Sequence, residues 1–207
     1  MQLSKVTSWG FILGGVLGIL GFLVIGIALG LMEDDIAVAD ELKAFQDNKE
    51  IVVVIMLLFV GIFTYMAKSI LQLAQAVKVP DEWYTYMRML VGVMLTTLFV
   101  SMGLWMGISD ETTVAGYEIT QQAGNAVDSI QIVAGSFILI ILSVFALKNG
   151  AGNGIFRVLI AILGVLSILD IVGLFVNMED GLGFITWILW AVVVAGIGVL
   201  GLVTKDA

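Results

Sequence analysis

The sequence predicts an all-α, polytopic membrane protein, a bundle of six transmembrane helices with both termini cytoplasmic. Three observations predict it. Of the 207 residues, 60% are hydrophobic, against roughly 45–50% in a soluble domain. Six apolar stretches are long enough to cross a bilayer. A crossing takes about 20 residues, because the hydrocarbon is about 30 Å thick and a helix rises about 1.5 Å per residue. Finally, the bases sort by side. Lys5, Lys68, Lys78, Arg88, Lys148, Arg157 and Lys205 fall on one side of the threaded chain, and only Lys43 and Lys49 on the other. Short loops rich in Lys and Arg stay cytoplasmic. A β-barrel would need alternating polar and apolar residues, and runs such as 51–63 do not alternate. Helices satisfy every backbone group within the segment and are the expected form.

The spans are placed at 9–32, 51–70, 87–108, 130–147, 155–176 and 182–203. They group as three helix pairs, 9–79, 83–147 and 155–203, in a single transmembrane domain of residues 1–207. The first span is too long for a signal-peptide core and lacks a small-residue cleavage site after it, so it is expected to be retained. It is rich in glycine. Gly10–Gly14, Gly14–Gly18 and Gly26–Gly30 each have GxxxG spacing. Small residues four apart make a flat stripe on which another helix backbone can sit closely. Spacing alone does not say whether that partner belongs to this chain or to another.

Residues 33–50 follow. Val38, Leu42 and Phe45 recur at helical spacing, with Asp40, Glu41, Lys43 and Asp47 between them. This predicts a short amphipathic helix on the outer interface, capped by Asp34 or Asp35. Beyond the second span the helical pattern continues from Lys68 to Val79 and stops at Pro80. Asp81 and Glu82 suit the first turn of the next helix, where the dipole favours acids. Trp83, Tyr84, Tyr86 and Arg88 mark the inner headgroup level. Residues 109–129 are polar and carry no base, and are expected as a second outer segment. The short, glycine-rich turn 148–154 makes the fourth and fifth spans antiparallel neighbours, and 177–181 is a tight outer turn. Met32-Glu33-Asp34 recurs as Met178-Glu179-Asp180, but leucine-rich spans match by chance too often for this to establish a duplication.

Composition removes whole classes of chemistry. The chain has no cysteine and no histidine. Haem ligation by histidine, cysteine-held iron–sulfur clusters, Cys/His zinc sites and Cys or His catalysis are excluded within it. No cofactor and no metal site is expected. Glu33, Asp34 and Asp35 are acidic neighbours without the spaced ligands of a calcium loop. The outer segments hold thirteen acids and two lysines, while the net charge is −8. Such a face repels nucleic acid, which is not an expected partner. The expected partners are the lipid bilayer and other copies of the chain or other membrane subunits. The expected setting is a prokaryotic plasma membrane.

Few residues could carry chemistry. Asp170 is the one ionisable residue well inside a predicted span, about six residues from its outer end. A carboxylate at that depth is costly, so Asp170 is expected to face protein, either as a polar contact or as a group that handles an ion or proton. Thr96, Thr97 and Ser101 sit in the third span, and Ser136 and Ser143 in the fourth. They could line a polar path, but Ser and Thr also bond the carbonyls of their own helix. The methionines are soft fillers of irregular packing. The pattern is expected to make a non-catalytic membrane subunit or scaffold, packing in a homo-oligomer or larger complex. The alternative is a small transporter or channel for a cation or proton, using Asp170.

Overall fold

The computed structural model describes residues 3–28, 36–176 and 180–203. It is all-α and 87% helical, with no strand among the described residues. Seven helices follow in order: α1 (Lys5–Ala28), α2 (Val38–Asp47), α3 (Lys49–Ala76), α4 (Asp81–Met106), α5 (Val114–Lys148), α6 (Gly154–Gly173) and α7 (Asp180–Val203). All but α2 are long and apolar enough to cross a membrane. Gly30, the acids at 33–35, Asn177, Glu179 and Lys205 lie outside the described residues.

The long helices close a ring. Helix α1 packs on α3 and α7, α3 on α4, α4 on α5, α5 on α6, and α6 on α7. The first and last helices are therefore neighbours. One apolar cluster draws on all six, with Phe11, Leu73, Met87, Leu142, Leu163 and Ile197 among its buried members. Close packing and dispersion between the helices hold the ring together.

The turns at the end carrying Lys78, Lys148 and Arg157 are built alike. Helix α3 ends as a Schellman motif. Lys78 N–H donates to Gln75 O at 3.0 Å and Val79 N–H to Ala74 O at 3.0 Å. Helix α5 repeats the motif with Gly150 N–H to Leu147 O at 3.1 Å and Ala151 N–H to Ala146 O at 2.9 Å. Both turns need a left-handed residue. Gly150 supplies it at φ 59°, and Lys78 supplies it at φ 60°. Pro80 then fixes φ at the start of α4, with Asp81 and Glu82 in its first turn. Asn153 caps α6 by accepting from Phe156 N–H at 2.9 Å.

At the other end, α2 lies across the ring. Its Leu42 and Phe45 are buried with Val52 and Met56 of α3, Ile108, and Tyr117 of α5 in a second apolar cluster. Asp40, Lys43 and Asp47 face outward. The helix has the expected stripe, but it docks on the bundle, and its N-cap is Ala37, with no side-chain cap.

Two boundaries differ from expectation. Helix α5 begins at Val114, so residues 114–129 of the expected outer segment are helical and continuous with the apolar run that follows. Thr113 caps it by accepting from Gly116 N–H at 3.2 Å. Polar residues on its outward face hide it from a hydrophobicity reading, while Tyr117 and Gly124 are buried. Helix α6 stops at Gly173, so Asp170 stands in its last turn, about 5 Å from the end, and not about 9 Å inside.

Candidate functional site

The glycines of α1 serve two neighbours within this chain. A Cβ at Gly10 would collide with the side chain of Ser69, one at Gly14 with Met66, and one at Gly21 with Phe59. All three partners are on α3. At Gly15 the obstruction is Ala191 O, backbone of α7. Helix α7 answers with its own small residues: a Cβ at Gly198 would meet Ser8 O, and one at Gly201 the side chains of Ser8 and Leu3. The two chain ends are thus joined where backbone lies on backbone. Gly18 is buried, but a Cβ there would meet only Phe63 Cζ, at an ordinary 3.9 Å. It falls between the face toward α3 and the face toward α7. Gly26 is also buried. Gly15, Gly21, Gly198 and Gly201 were missed because GxxxG spacing marks a stripe but not the azimuth of the neighbour.

The hydroxyls singled out in the sequence do not converge. Thr96 is exposed on the outside of α4. Thr97 donates back to Val93 O and Met94 O, both at 3.0 Å. Inside the ring, Ser69 bonds Tyr65 O at 3.1 Å and Ser167 bonds Leu163 O at 2.9 Å, each in its own helix. Ser143 reaches across from α5 to Ile160 O of α6 at 2.9 Å. Asp170 is half-buried and continues the face of α6 that buries Leu163, Leu166 and Ser167. Among the described residues nothing hydrogen-bonds to it.

Ser101 is different, and it points to a carboxylate that the sequence reading placed outside the spans. Its side chain is 1% exposed and stands beside Asp128 of α5. Gln131 follows one turn along α5, on the same face as Asp128. Ser101 Oγ has only the Asp128 carboxyl for a partner, without well-aligned geometry, and Gln131 Oε1 is buried without a hydrogen-bond partner. Asp128 lies within α5, two residues before the apolar run that begins at Ile130. A second polar group lies nearer the helix ends. Gln121 Nε2 donates to Glu41 Oε2 at 2.9 Å, tying α5 to α2. Gln46 Nε2 donates to Ser109 O at 2.9 Å. Tyr117, fully buried between Phe45 and Trp105, turns its hydroxyl toward Glu41 and Gln121.

Level by level, the outer surface is asymmetric. Val52 of α3 and Tyr117 of α5 share one cluster at the end away from Lys78 and Lys148. There α3 exposes Ile51, Val54 and Leu58. Helix α5 exposes Glu118, Gln122 and Asn125, with the apolar Ile119 among them.

Among the described residues, no three acid, Cys or His side chains are grouped to hold a metal ion. No family model matches this chain, no curated protein is similar to it in sequence, and no solved structure is similar to it in fold.

Proposed function

We propose that the chain is a non-catalytic, multi-pass membrane protein that works as a subunit or scaffold in a homo-oligomer or larger membrane complex. Its termini are cytoplasmic, and the end carrying Lys78, Lys148 and Arg157 faces the cytoplasm. One observation carries this reading. Helix α3 exposes Ile51, Val54 and Leu58 toward its start, while the first turns of α5 expose Glu118, Gln122 and Asn125 around Ile119. Lipid suits the first flank and not the second, because an uncovered polar group in hydrocarbon is costly. A neighbouring subunit on α5 would cover it. The serine hydroxyls bonded to helix carbonyls support a packed interior over a wet path.

The test is the assembly state of the chain in lipid nanodiscs, by native mass spectrometry, together with Gln122→Cys cross-linking. An oligomer, or a stoichiometric co-purifying subunit, that cross-links through position 122 is expected. A monomer with position 122 open to a water-soluble thiol reagent would overturn it.

A second reading is a cation or proton carrier. It is favoured by the half-buried carboxyl of Asp128 beside Ser101, with the buried, unbonded Gln131 Oε1 one turn away on the same helix face. Proteoliposome flux that Asp128→Asn abolishes and Asp170→Asn spares would support it.

A further inference from the structure

On the side of the ring where α4 meets α5, an apolar groove of about 430 Å³ opens outward near the basic end. Trp83 and Tyr86 form one wall, and Phe137, Ile141, Val144 and Phe145 the floor and the other wall. Phe137, Ile141, Val144 and Lys148 recur at helical spacing, so Lys148 continues the floor of the groove at its basic end. From Phe137 to Val144 the floor runs about 10 Å along the helix axis. The Lys148 ammonium sits 5.9 Å from the centre of the Phe145 ring, and Trp83 packs on that ring from the other wall at 6.0 Å. Trp83 and Tyr86 are each 45% exposed. No group of the described protein bonds the indole N–H of Trp83 or the hydroxyl of Tyr86.

We infer that this groove is a binding site for one anionic phospholipid, with an acyl chain along Phe137–Val144 and the phosphate at Lys148 and Trp83. The inference rests on the membrane reading above. Charge complementarity argues for this occupant. A cation stands beside Phe145 and Trp83 at one end of a slot that is otherwise apolar, in the order that a lipid presents phosphate and chain. A second protein helix would need small residues on the groove to come close, and this one is walled with aromatic rings. A zwitterionic lipid also brings a phosphate, but its own headgroup cation competes with the lysine for it. One lysine beside an anionic headgroup corresponds to roughly a fivefold preference, the equivalent of about 1 kcal/mol.

The test uses the full chain in phosphatidylcholine vesicles containing a minor share of lipid brominated on the acyl chain, which quenches nearby tryptophan. Trp83 is one of five tryptophans, and subtracting a Trp83→Phe variant isolates its emission. Brominated phosphatidylglycerol is expected to quench the Trp83 component about fivefold more effectively than brominated phosphatidylcholine. Lys148→Gln should remove the difference, and Val144→Phe, at an exposed position, should weaken both by filling the slot. Equal quenching by the two lipids in the unaltered protein would overturn the site. So would a Trp83 component that neither lipid quenches while the other tryptophans respond, which would mean that protein covers the groove. No quenching of any tryptophan would overturn the membrane reading itself, and the lipid site with it.

Discussion

The side-chain amide of Asn149 donates to the carbonyl of Val77 at 2.7 Å and to that of Lys78 at 3.1 Å. It thereby ties the α5–α6 turn to the α3–α4 turn, two loops with the same backbone motif. Asn149→Ala removes both bonds and strands the Val77 carbonyl, whose residue is 1% exposed. The expected loss is about 1–2 kcal/mol, read as a lower thermal midpoint in detergent. Lys78 is the complementary case. It holds φ 60° where glycine would be unstrained, so Lys78→Gly should gain about 0.5–1 kcal/mol. A midpoint unchanged in both variants would mean that these turns are not coupled.

The same bonds decide where topology should be probed. A cysteine at Asn149 would disturb the turn it reports on, and one at Thr113 would remove the cap of α5. Asp47, Glu111 and Gly154 are exposed, and a Cβ at Gly154 meets nothing within 4 Å. With no cysteine in the chain, single-cysteine labelling is clean. A membrane-impermeant thiol reagent applied to intact cells should modify Asp47→Cys and Glu111→Cys but not Gly154→Cys. Modification of Gly154→Cys alone would invert the proposed orientation.

Much of this architecture is legible from residue type and period. The apolar runs give six helices, the Val38–Leu42–Phe45 spacing gives α2, and Pro80 ends the pattern that runs on from the second span. Each is a local signal. The start of α5 is not, because its outward face mixes Glu118, Gln122 and Asn125 with Ile119, and only Tyr117 and Gly124 betray a buried side. The pairing of Ser101 with Asp128 is a tertiary event between helices whose register depends on where α5 begins. The apolar run begins at Ile130, so Asp128 falls outside the predicted span.

The two glycine faces of α1 make opposite predictions for neighbouring positions. Gly15→Ala drives a methyl into the Ala191 carbonyl, which as backbone cannot turn aside. Separating α1 from α7 should lower the thermal midpoint by the equivalent of about 1–3 kcal/mol. Gly18→Ala finds ordinary contact and gains helix propensity, so it should be neutral or stabilising by up to about 1 kcal/mol. Parallel thermal melts of the two variants check this. Equal effects would mean that α1 is rotated from the position described.

Ser101→Ala separates a packed interior from an ion pocket. A buried hydroxyl whose one contact, to Asp128, is poorly aligned recovers little of its desolvation cost, and alanine removes that cost while leaving only a small void. If the space beside Asp128 is merely polar packing, Ser101→Ala should leave the midpoint within about a degree or raise it. The same holds in sodium and in choline buffer. If instead the hydroxyl helps hold a bound cation or water, its loss removes a real bond and should cost about 1 kcal/mol or more. For a cation, that cost should appear in sodium and vanish in choline, because only the bound ion stabilises the folded chain. The subunit reading expects the first result. A sodium-dependent loss would move the function to cation handling, with Asp128 in the role that the sequence alone had assigned to Asp170.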